Sequence, residues 1–101
     1  MGNIIKGTTP TILYKFSQVD VADITAAYIT VKNGDGSILE KDMTTAIIGD
    51  DSIAWRFTQQ ETLSFCGDIS VMLNWILSDG TRGASRKVNI EIRPNYKEVV
   101  I

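Results

Sequence analysis

Cys66 is the one thiol among 101 residues, and no histidine accompanies it. A cysteine nucleophile needs a base to form the thiolate. Without one, Cys66 reads as a small core residue in an apolar-rich segment. A single cysteine also makes no disulfide within the chain. The lack of histidine removes the Ser-His-Asp and Cys-His devices and histidine metal sites. A carboxylate pair is the other route to chemistry, as in glycoside hydrolysis. Asp50 and Asp51 are adjacent, but they follow Gly49 in a predicted turn, where acids serve local hydrogen bonds. Asn33, Asp35 and Glu40 in "NGDGSILE" loosely resemble a calcium loop. They lack its regular series of acidic ligands, and Asn-Gly and Asp-Gly are hairpin residues. Glycines 7, 34, 36, 49, 67, 80 and 83 fall at turns and strand ends, not in a phosphate cradle before a helix. The residues therefore call for no catalysis, cofactor or metal, and the expectation is a protein that is not an enzyme.

Composition bounds the partners. Apolar content of 44%, charged content of 22% and a net charge of −2 fit an ordinary globular domain spanning 1–101. Basic residues are scattered apart from Arg82, Arg86 and Lys87, so no basic face for nucleic acid is expected. No apolar run reaches the 18 or so residues of a membrane helix, so no membrane partner is expected either. The start, "MGNIIKGTTP", lacks a signal-peptide apolar run. Lys6 stands where a myristoylation motif needs Ser or Thr. Synthesis in the cytoplasm is the expectation.

Period-two alternation dominates the elements that would carry any site. "TILYKF" points Ile12, Tyr14 and Phe16 one way. "QVDVADITA" offers Asp20 or Asp23 as a cap for a single helical turn. "AAYITVK" buries Ala27, Ile29 and Val31 and turns Tyr28, Thr30 and Lys32 outward. "NGDG" predicts a hairpin into "SILEKDM", an edge strand whose Glu40, Lys41 and Asp42 discourage sheet-to-sheet pairing. "AII", the "GDD" turn and "SIAWRF" follow, with Ile53, Trp55 and Phe57 inward and Ser52, Ala54 and Arg56 outward. Thr58 and Glu61 have capping-box spacing and predict a short helical turn near 58–64, with Leu63 and Phe65 on the sandwich end. "GDISVMLNWILS" puts Ile69, Val71, Leu73, Trp75 and Leu77 inward, with Trp75 as candidate core tryptophan. After "DG", "TRGASRKVNIEI" returns with Val88, Ile90 and Ile92 inward, and Pro94 ends the ladder. About seven strands with a turn every 8 to 12 residues predict an all-β, immunoglobulin-like antiparallel sandwich.

One face is unusual. The outward positions of the longest strand are Ser70, Met72, Asn74 and Ile76, and Tyr28 lies outward on its neighbour. Large apolar side chains on a face that should be wet point either to contact with something else or to cover by a loop or the tail "PNYKEVVI". The tail "PNYKEVVI" adds Tyr96, Val99, Val100 and Ile101, an apolar end expected to dock on its own domain or on another copy. Tyr28, Met72, Ile76, Tyr96, Val99, Val100 and Ile101 form the expected interaction surface. Sugar binding is the alternative, with Tyr14, Tyr28 and Tyr96 as the aromatics for a platform.

The ordered segments "IIKGTTPTILYKF", "DITAAYITVKNGDGSILEKDM" and "SIAWRFTQQETLSFCGDISVMLNWILSDGTRGASRKVNIEI" resemble small proteins encoded among tail genes of phages and prophages of Gram-positive bacteria. Their layout is similar to the N-terminal immunoglobulin-like domain of siphophage baseplate upper proteins. The shared features are a "KGTT" entry, an "IT" segment before the second strand, and a "TQQET" turn into a Gly-started strand. A "DG" hairpin and a final strand follow. The resemblance covers nearly the whole chain but not the helical, receptor-binding-protein-anchoring region that follows in those proteins. It implies a non-enzymatic structural protein of a tail or baseplate, located in the virion. Its implied partners are other tail proteins or further copies of itself. Gly7 and Pro10 would then turn the chain into a sandwich edge, with Thr8 and Thr9 satisfying backbone groups.

Overall fold

Alternation puts every second side chain of a strand on one face. In the computed structural model, which describes residues 3–101, it produces two packed β layers. The larger layer has the lateral order β1 (Asn3–Ile5), β9 (Val88–Arg93), β7 (Ile69–Leu77), β3 (Ile24–Lys32) and β4 (Ile38–Asp42), with β8 (Arg82–Ala84) also paired to β7. The smaller layer runs β2 (Thr11–Lys15), β6 (Ser52–Arg56), β5 (Ile47–Ile48). This is the all-β sandwich expected, with its helical turn realised as α1 (Gln59–Leu63).

Three features depart from the expected pattern. Among the described residues the strands number nine rather than about seven. The short β1 was not anticipated, and it pairs with β9 in parallel, so the sandwich is not wholly antiparallel. The pairing buries Ile4 and continues through the Lys6 N–H, which donates to Arg93 O at 3.0 Å. The returning strand is broken in two because Ser85 turns toward β7. The Ser85 hydroxyl accepts from the Leu73 N–H at 2.8 Å, standing in for a backbone carbonyl, while its own N–H donates to Leu73 O.

The inner faces meet on Ile53, Trp55, Phe57, Phe65 and Ile69, all essentially inaccessible. Trp55, not Trp75, is the central tryptophan, and its Nε1–H donates to Asp42 O at 2.8 Å. Trp75 is half-buried at the side, edge-on to Phe16 at 5.1 Å between ring centres. Ala54 points outward as expected but is buried, because Leu13 and Ile47 flank it on both sides. Lys41 is also corrected. It does not guard the β4 edge but turns inward, donating to Glu61 at 2.9 Å and to Arg56 O at 3.1 Å, with the Phe57 ring 5.0 Å away.

Local chemistry sets the connections. Asp20 caps the helical turn Val21–Asp23 by accepting from the Ala22 N–H. Thr58 and Glu61 form the full capping box, and Glu61 also holds Lys41. Between Ile5 and Thr11 the chain crosses from one layer to the other. Gly7 takes φ of 85°, in the left-handed region that favours glycine. Its N–H donates to Thr62 Oγ1 at 3.0 Å, and that hydroxyl donates to Thr8 O at 2.7 Å. The entry is thus tied to α1.

Candidate interaction face

The outer face of the larger layer follows from the register. Pairing sets Lys32 beside Ser70, Thr30 beside Met72, Tyr28 beside Asn74 and Ala26 beside Ile76. On the flank, β4 places Ile38 beside Lys32, Glu40 beside Thr30 and Asp42 beside Tyr28. On the opposite flank, Ala84 lies beside Asn74, Arg82 beside Ile76 and Asn89 beside Ser70. Lys87 precedes inward-facing Val88, so it falls next to Met72 and lines a shallow groove with it.

Tyr28 and Ile76 are 40% and 39% exposed, which is high for large apolar groups at the middle of a sheet, and Met72 is half-buried. The groove between Thr30, Met72, Lys87 and Ile38 holds about 230 Å³. A smaller one of about 150 Å³ borders Tyr28, Asp42 and Thr44.

Charge is sorted on the two flanks of this face, with Lys32 between them on β3. Glu40 and Asp42 stand on the β4 side, and Arg82 and Lys87 on the β8–β9 side. The Thr44 hydroxyl, followed by its N–H, holds the Asp42 carboxyl below the usual carboxylate range. The Thr30 hydroxyl donates to Glu40 at 3.0 Å, and Arg82 donates to Asn74 at 3.1 Å.

The structure brings Tyr28, Met72 and Ile76 together, as expected, but not the tail residues. Tyr96, Val99, Val100 and Ile101 remain exposed, and the tail is held by polar contacts at the α1 end. Gln59 accepts from the Ile101 N–H at 2.8 Å and donates to Ile101 O at 3.1 Å. Asn95 donates to Lys6 O at 2.9 Å, and Glu98 lies 3.9 Å from Lys6. The expected surface is therefore two separate places. Tyr14 is half-buried, packs on Phe16 with ring centres 5.0 Å apart and lines a cleft between the layers, away from Tyr28 and Tyr96.

The candidate acids lie apart: Asp50 and Asp51 sit in the bend before β6, where Asp51 faces Lys15 at 3.8 Å, and Asp35 sits in the β3–β4 turn. Asp35 accepts from both the Ser37 hydroxyl and its N–H, which lowers its pKa to about 2. Glu40 is engaged elsewhere, so the two do not converge with Asn33, which binds Ser37 and accepts from the Cys66 N–H. No group of three or more metal-ligating side chains gathers among the described residues.

Sequence reasoning missed two surfaces. Leu13 and Ile47 make an exposed apolar row across Ala54 on the smaller layer. The alternation of "TILYK" already turned Leu13 outward. A cleft of about 420 Å³ opens between the layers, lined chiefly by apolar groups such as Ile4, Ile12, Val88 and Ile90. It marks where the two layers part, and no local sequence signal announces it. No family model, curated protein or solved structure matches the chain.

Proposed function

We propose that this chain is a non-enzymatic structural protein of a phage or prophage tail or baseplate. It works by docking through the outer face of its larger layer, to further copies of itself or to other tail proteins. The observation that carries the docking role is the cluster of exposed Tyr28 and Ile76 with half-buried Met72 at the centre of that face, framed by opposite charges. An apolar centre with a charged rim is how protein–protein interfaces are built. The assignment to a tail is supported by the order of the sequence segments alone.

The test is Met72→Lys with Ile76→Lys. Both sites are on the outer face, so the double variant should unfold as cooperatively as the wild type. It should lose assembly, measured by light scattering coupled to size exclusion. Unchanged assembly sinks this face as the docking surface. Antibody labelling of purified tail particles tests the location, and unlabelled particles would refute it. No observation favours sugar binding, since Tyr28, Tyr96 and half-buried Tyr14 stand at three separate places.

A further inference from the structure

We infer that a second copy of this chain covers the face, related by a two-fold axis that lies in the face and runs along β3 and β7, between them. This rests on the reading that the face is the docking surface. Two kinds of complementarity carry it.

The first is charge. A two-fold axis along the strands keeps each residue at its own level and exchanges the two flanks. Glu40 shares its level with Thr30 and Met72, and Lys87 lies beside Met72. The rotation therefore sets Glu40 over Lys87 of the second copy, twice, once on each side. Asp42, one level along, falls toward Ala84 and Arg82 of the second copy. An axis running across the strands instead places β4 over β4 and acid over acid, which is unfavourable.

The second is shape. At every level of β3 and β7, a long side chain stands beside a shorter one, and the rotation swaps them. Lys32 meets Ser70, Met72 meets Thr30, Tyr28 meets Asn74, and Ile76 meets Ala26. Face-to-face sheets lie about 10 Å apart and fill that space by such interdigitation. Two nine-residue strands at about 3.3 Å per residue, within a layer about four strands wide at about 4.8 Å each, give a plane of roughly 600 Å². That is the scale of a standard interface, about 800 Å² per partner.

The experiment is a charge swap, read as dimer Kd by sedimentation equilibrium on wild type, Glu40→Lys, Lys87→Glu and the double swap. Each single swap puts like charges face to face at both symmetric contacts, and should raise the dimer Kd about tenfold. The double swap restores opposite charges and should return the Kd to near the wild-type value. Urea melts control for loss of the Thr30 bond to Glu40, which is common to Glu40→Lys and the double swap. A double swap as weak as the two singles combined overturns this geometry. If that dimer is still broken by the Met72/Ile76 double variant, the docking face itself stands. A wild type that remains monomeric at high concentration overturns the second copy as occupant, leaving a different tail protein as the partner of the face. A dimer indifferent to both sets of variants overturns the geometry and the docking face together.

Discussion

Replacing Thr62 with Val should loosen the joint between α1 and the chain's entry into the sandwich. Thr62 is wholly buried, and its hydroxyl both accepts from the Gly7 N–H at 3.0 Å and donates to Thr8 O at 2.7 Å. Valine has nearly the same shape, so packing is kept and the hydroxyl alone is removed. The Gly7 amide is then left without a partner in a half-buried position, at a cost of about 1–3 kcal/mol. The Thr8 carbonyl is nearer to solvent and adds less. The expected total is about 2–3 kcal/mol, set against a whole-domain stability of about 5–15 kcal/mol. The variant should therefore fold, with a clearly lower midpoint.

Urea unfolding followed by tryptophan fluorescence is the assay, because Trp55 is fully buried. With a slope of about 1–3 kcal/mol/M, a loss of about 2–3 kcal/mol should lower the midpoint by about 0.7–3 M at unchanged slope. Thr62→Ser is the comparison. It keeps the hydroxyl and loses one methyl group, at a cost of about 1 kcal/mol. The reasoning requires Val to be worse than Ser. If Ser is the more damaging substitution, the hydroxyl bridge does not hold the entry. The contact of Leu63 near Gly7, where an added Cβ would come within 3.3 Å, is then what holds it.

Two further outcomes test the rest of the frame. Gly83→Ala would bring a methyl group within 2.5 Å of the Trp75 indole. It should cost about 1–3 kcal/mol and shift tryptophan emission to the red, and an unshifted spectrum would show that the ring does not lie over Gly83. Asp35 is held at about 2, against an ordinary value of 3.8, by the Ser37 hydroxyl first and then its N–H. A lowered folded-state pKa contributes stability above the unfolded value and loses it as pH falls through the folded one. The stability gap between wild type and Asp35→Asn should therefore close between about pH 4 and pH 2, and a gap that stays constant in acid melts would exclude the turn bond in solution.

Much of the fold was legible because the signals were local. Alternation named the inner faces of β3, β6 and β7 through Ala27–Val31, Ile53–Phe57 and Ile69–Leu77, since a strand's period is geometric. The Thr58–Glu61 box needed only its four residues. What escaped was set by partners far along the chain. β1 is three residues pairing with Glu91–Arg93, and nothing in "NII" reports that. Alternation in "ILEKD" already put Lys41 on the inner face with Leu39. Its charge read as an edge guard because Glu61, the partner that lets it turn inward, lies 20 residues away.

The interaction face shows the same division. Tyr28, Met72 and Ile76 were readable as outward positions, and Glu40–Asp42 and Arg82–Lys87 as two separate charged stretches. Neither stretch says which side of the face it occupies. Only the lateral order, with β4 beside β3 and β8 beside β7, sets acid and base on opposite flanks of the strip that carries Tyr28, Met72 and Ile76. That order turns a composition into a direction, and a face with a direction can distinguish one way of meeting its own copy from another. A patch of the same residues with the charges mixed would stick without choosing an axis.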